Sequence, residues 1–124
     1  MNNCTGMIRP VTTRTSEHHH SPETSRAEHL WLMADLFAIL SDPSRLRILM
    51  CLQDYEMCVG DIAAEANVSE SAVSHALRLL RAHRIVEARR EGRRIFYTLI
   101  DEHVRVLLDA TAEHFDHAHV RPTR

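Results

Sequence analysis

Apolar residues recur along this chain first at helical and then at strand spacing, and the changes of period divide it into elements. Leu30, Met33, Ala34, Phe37 and Leu40 repeat every three to four residues, which predicts a helix over 25–40. In SDPSRLRILMCL, Asp42 offers an N-cap and Pro43 a first helical residue, so a second helix begins there, with Leu46, Leu49 and Met50 as its buried face. The stretch CVGDIAAEANVSESAVSHALRLLRAHRIV reads as a short helix, a polar turn at 66–69, and a longer helix opened by Ser69 or Ser71 and reaching about His83. Val73, Leu77 and Leu80 are its core face. IVEARREGRRIFYTL then alternates, predicting two short strands about a Glu91–Gly92 turn. Helical spacing returns from Asp101 to about 118.

Two helices joined by a short turn, followed by a hairpin, form a winged helix-turn-helix. The expected fold is therefore mainly α with a β-hairpin, with additional N- and C-terminal helices forming a dimer interface. Residues 1–24, rich in Thr, Ser and Pro, read as a flexible arm. Residues 25–118 form one DNA-binding and dimerisation domain, and 119–124 a short tail. Trp31, Leu32, Phe37, Val104, Leu107, Leu108 and Phe115 exceed what one small core can bury, which points to a homodimer.

Charge adds a direction to this picture. The net charge of −2 is segregated: between Ser69 and Arg94, seven arginines face three glutamates, while the rest of the chain is acidic. One face is thus suited to a polyanion. On the predicted second helix of the motif, Ser69, Ser71, Ser74 and His75 stand at the exposed start and Arg78 and Arg81 follow. Short polar groups there suit base edges, and arginines suit phosphates. Arg89, Arg90, Arg93 and Arg94 flank the hairpin tip and are placed for the adjacent backbone or the minor groove. The expected partner is double-stranded operator DNA. The bland alternative is a solvated basic surface on a protein-binding module.

The last helix carries a different chemistry. At about 100° per residue, His103, His114 and His117 fall on one stripe, with Asp101 at the N-terminal end of the helix. His103 and His114 are separated by about 16 Å of helical rise, too far for one ion within a chain. Two copies packed antiparallel about a two-fold axis would bring Asp101 and His103 of one level with His114 and His117 of the other. Four nitrogen and oxygen ligands suit tetrahedral Zn(II), with Co(II) as a mimic. The competing reading is a row of solvated histidines.

LSDPSRLRILMCL, CVGDIAAEANVSESAVSHALRLLR and EGRRIFYTLIDEH resemble the ArsR/SmtB family of bacterial metal-sensing repressors over residues 28–117. The resemblance is to its zinc-sensing branch, whose last-helix ligand pattern is matched by Asp101, His103, His114 and His117. It implies an apo homodimer that represses metal efflux or sequestration genes and is released from its operator by Zn(II). It also implies a second site, at the helix before the turn, shared with the N-terminal arm of the other subunit. Cys58 and Asp61 match the helix half, and Cys4 with one of His18, His19 and His20 would supply the arm half. A thiolate there favours Cd(II) and Pb(II). Cys58 as a half-buried apolar residue is the alternative, and Cys51 reads as core. His119 extends the histidine row, as in nickel- and cobalt-sensing members, so Ni(II) or Co(II) stays open as the signal.

Other function classes fare poorly. EHFDH is not the zinc-hydrolase signature, no small-molecule substrate domain is evident, and an enzyme is not expected. Three cysteines without a paired framework fit a reducing cytoplasm. No apolar run approaches a membrane span, and residues 1–10 lack a signal-peptide pattern.

Overall fold

Polar side chains fix where three of the helices begin. The computed structural model describes residues 9–10 and 26–117. It contains β1 (Arg9–Pro10), α1 (Arg26–Leu40), α2 (Pro43–Cys51), β2 (Tyr55–Cys58), α3 (Val59–Ala66), α4 (Glu70–Ala82), β3 (Val86–Glu91), β4 (Arg94–Leu99) and α5 (Glu102–His117). Asp42 Oδ1 accepts from the Ser44 N–H at 2.9 Å, and Pro43 opens α2, as its missing donor permits. Ser69 Oγ accepts from the Ala72 N–H at 3.1 Å and caps α4. Asp101 Oδ1 accepts from the N–H groups of His103 (2.9 Å) and Val104 (3.1 Å), capping α5. Each such cap stabilises its helix by about 1 kcal/mol. Asn67 closes α3 in the left-handed conformation, at φ +55°, which leaves a short turn before α4.

The core gathers around α2, α3 and α4. Ile48, Leu49, Leu52, Ile62, Val73, Leu77, Leu80, Ile85, Leu99 and Val104 are inaccessible or nearly so. On α2 the sequence expectation misplaces one residue: Met50 is exposed and Ile48 takes the buried position. On α1 only Ile39 and Leu40 are buried. Leu30, Trp31, Leu32, Met33 and Phe37 all stand in solvent within this single chain. Val104 and Leu108, expected at a dimer interface, are instead spent on the chain's own core. Beyond Leu108 the helix adds nothing to the core, and residues 109–116 are all exposed.

The wing is larger than the expected hairpin. β3 and β4 pair antiparallel from Val86↔Leu99 to Glu91↔Arg94, so the turn is Gly92–Arg93, one residue later than predicted. Gly92 sits at φ +63°, and a Cβ there would meet no atom within 4 Å; backbone conformation, not crowding, selects glycine. β2 pairs with β4 through Met57↔Tyr97 and Cys58↔Phe96. β1, inside the segment read as an arm, pairs with β2 of its own chain through Arg9↔Glu56 and Pro10↔Tyr55. The sheet order is β1-β2-β4-β3.

Candidate functional site

The amphipathic pattern of α4 turns Val73, Ala76, Leu77 and Leu80 inward and leaves Ser71, Ser74, His75, Arg78 and Arg81 exposed along one outer surface. Ser69 is exposed too, with its oxygen committed to the cap. Between α4 and β4 lies an open cavity of about 460 Å³, lined by Ser74, Arg78, Arg81, Ala82 and Tyr97. Tyr97 was not anticipated from sequence. Its half-buried ring packs on the core while the residue borders a notch carrying two arginines. The available signal was an aromatic three residues after Arg94 in the same strand. At the tip, Arg90 donates to the Gly92 carbonyl at 3.3 Å. Arg93 and Arg94 are exposed, and among the described residues neither they nor Arg78 and Arg81 have a carboxylate partner within 4 Å.

Arg89 departs from this group. Its Nε donates to Glu56 Oε1 at 2.6 Å and its Nη1 to Glu91 Oε2 at 2.9 Å. The guanidinium carbon lies 5.2 Å from the centroid of Phe96. The hydrogen bonds that Arg89 donates to Glu56, and then to Glu91, push its pKa above the ordinary value. The side chain expected at DNA is thus held back across the sheet by its own chain.

On α5, His103 and His114 are exposed, and the His114 ring meets Phe115 edge-on at 5.1 Å. Asp101 precedes the helix rather than sharing its stripe, and its cap uses Oδ1. His117 is the last residue of α5. Among the described residues, no three His, Cys, Asp or Glu side chains converge as a ligand set within one chain. The start of α5 is bonded to the root of the wing: the N–H groups of Ile100 (3.0 Å) and Asp101 (3.4 Å) both donate to the Ile85 carbonyl. Ile85 in turn donates to the Leu80 carbonyl in the last turn of α4, at 3.0 Å. Arg105 ties the helix down further on. It donates through Nη1 to the Gln53 carbonyl and through Nη2 to the Leu99 carbonyl at 3.2 Å. Gln53 Nε2 donates to Asp109 Oδ1 at 2.8 Å.

Cys58 lies at the junction of β2 and α3, 3% exposed, packed with Phe96 in a small cluster apart from the main core. Its sulfur is in a disulfide, so a metal-binding thiolate exists there only after reduction. Asp61 is half-exposed in the first turn of α3. Cys4, His18, His19, His20 and His119 lie outside the described residues. Cys51 is a free thiol. Burial, followed by the nearby Glu65 carboxylate, pushes its pKa up. Among the described residues, no helix is long and apolar enough to cross a membrane.

Comparison with known proteins agrees with this geometry. Residues 42–88, from the cap of α2 into β3, match the family described as "Bacterial regulatory protein, arsR family". The chain is 48% identical over 93 residues to a transcriptional repressor SmtB homolog of Synechocystis, covering 75% of this chain and 70% of that one. It is 39% identical over 83 residues to a cadmium resistance transcriptional regulatory protein CadC homolog of Staphylococcus aureus, covering 66% and 69%. Among solved structures, it resembles the homodimeric winged helix-turn-helix DNA-binding domain of a possible ArsR-family regulator from Mycobacterium bovis. That likeness has a TM-score of 0.67 and 28% identity, and covers 84% of this chain and 99% of that one.

Proposed function

Because this chain belongs to the ArsR/SmtB family of winged helix-turn-helix transcriptional regulators, and not to an enzyme family, we propose that it is a metal-responsive repressor. Its homodimer binds operator DNA in the apo state and leaves it when Zn(II) binds between the two last helices. α4 enters the major groove with Ser71, Ser74 and His75 at base edges, while Arg78, Arg81, Arg90, Arg93 and Arg94 neutralise phosphates. The names of the relatives, a repressor and a cadmium resistance regulator, support this reading.

The observation that carries the metal reading is the state of α5. Its C-terminal half stands exposed beyond the core, and among the described residues no ligand set converges within one chain. A site built from Asp101 and His103 of one chain with His114 and His117 of the other fits both facts. The donors are chemically apt, since the Asp101 cap engages Oδ1 and two histidine side chains are exposed. Zn(II) bound there would supply a fixed tetrahedral link between subunits. Asp101 is the residue through which that link bears on DNA. Its N–H is bonded to Ile85, which is bonded to the last turn of α4, so a displaced α5 start re-aims the recognition helix. Two recognition helices must meet grooves about 34–36 Å apart, and a modest rotation ends the match.

The test is zinc titration of the protein–DNA complex. His103→Ala and His114→Ala are expected to dimerise and bind DNA as the parent does, yet stay bound when zinc is added. Linkage requires DNA to weaken zinc binding by the same factor as zinc weakens DNA binding. Release of either variant at the parent's zinc concentration would refute the last-helix sensor. A second, thiol-selective site at Cys58 for Cd(II) or Pb(II) would form once the sulfur is reduced, and the pairing of β1 with β2 of its own chain, two residues from Cys58, favours an arm half from the same chain rather than from the other subunit.

A further inference from the structure

Arg89 crosses the outer face of the sheet rather than pointing off it. The residue sits on β3, and its guanidinium passes over Phe96 of β4 to reach Glu56 on β2, two strands away, while a second nitrogen holds Glu91 at the wing tip. Glu56 is only 9% exposed, and Phe96 is 1% exposed beside Cys58. A planar fork on two carboxylates over a ring is a directional contact that a flexible point charge does not reproduce. β2 is itself anchored, because it continues without a break into α3 of the helix-turn-helix. We infer that Arg89 is a positioning residue, a strap that fixes the wing against β2 so that Arg90, Arg93 and Arg94 present their charges to DNA. The inference rests on the DNA-binding reading proposed above. It gives the acidic residue Glu56 a positive role in binding a polyanion.

That role separates two explanations cleanly. If Arg89 were a phosphate contact held in check by Glu56, then Glu56→Gln would free a cation and remove a repelling charge, and binding would tighten. If Arg89 is a strap, Glu56→Gln loosens the wing and binding weakens. The probe is a random-sequence duplex of about 30 base pairs, with binding measured across a salt series and folding checked by thermal melting. Salt-dependent binding by the parent protein must be present first, and its absence would refute the DNA-binding reading itself. Given that binding, Glu56→Gln and Arg89→Ala are each expected to weaken it roughly three- to tenfold, with the double variant no worse than either. The slope of log K against log salt should stay at the parent's value, because no phosphate contact is lost. Arg89→Lys should fail to restore affinity, since an ammonium cannot replace the fork. Tighter binding by Glu56→Gln, a slope shallower by about one in Arg89→Ala, or full rescue by lysine would each overturn the strap.

Discussion

At the scale of single residues, the arginines of the wing divide into two kinds that look alike in sequence. Arg90, Arg93 and Arg94 project from the tip, whereas Arg89 is bound to Glu56, 33 positions earlier in the chain. No local pattern reports a partner that far away, so sequence placed all four at DNA. We predict that Arg93→Ala or Arg94→Ala weakens binding to every sequence and flattens the salt dependence, each by about one ion equivalent. Substitutions at Ser74 or His75 should instead change the ratio of operator to random-DNA affinity; competition binding at fixed salt checks both. The cysteines divide in the same way. Cys51 keeps its proton under burial and the field of Glu65, while Cys58 needs reduction before it can bind a metal. In reduced protein, the ultraviolet thiolate-to-Cd(II) charge-transfer band should survive Cys51→Ser and vanish in Cys58→Ser. Zinc-driven release should persist in both.

Elements whose signals are local were legible. The Asp42–Pro43 start of α2, the Ser69 cap and the glycine turn of the wing each rest on two or three neighbouring residues. β2 was not legible, for a physical reason: Glu56, Met57 and Cys58 are buried in succession, so the strand has no period of two. It also runs directly into α3, leaving no turn residue to mark its end. The ligand residues of α5 were visible as a pattern, but the way the helix is fastened was not. Arg105 holds α5 to the carbonyls of Gln53 and Leu99, contacts across distant sequence. Arg105→Ala should cost about 1–3 kcal/mol in stability, since two part-buried carbonyls lose their donor. With α5 detached from β4, we expect DNA affinity within a few-fold of the parent and a much weakened release by zinc. Chemical denaturation and zinc titration of the DNA complex measure the two effects.

For the molecule as a whole, the outward faces of α1 and of the second half of α5 are the dominant unsatisfied feature. Leu30, Trp31, Leu32, Met33, Phe37 and Phe115 are each more than half exposed, a larger apolar surface than scattered residues produce. A second copy of the chain is the occupant we predict, with no metal required for its docking. Sedimentation of the apo protein at micromolar concentration should give a dimer, and a monomer alone would contradict the proposal. The same surface has an optical consequence. The chain's one tryptophan is Trp31, 72% exposed in the isolated subunit and part of that apolar surface. Indole emission reports the polarity around the ring, so assembly should shift its maximum to shorter wavelength and shield it from iodide quenching. Dilution below the dimer dissociation constant should reverse both changes, which would give the protein a built-in fluorescent gauge of its own assembly without any attached label.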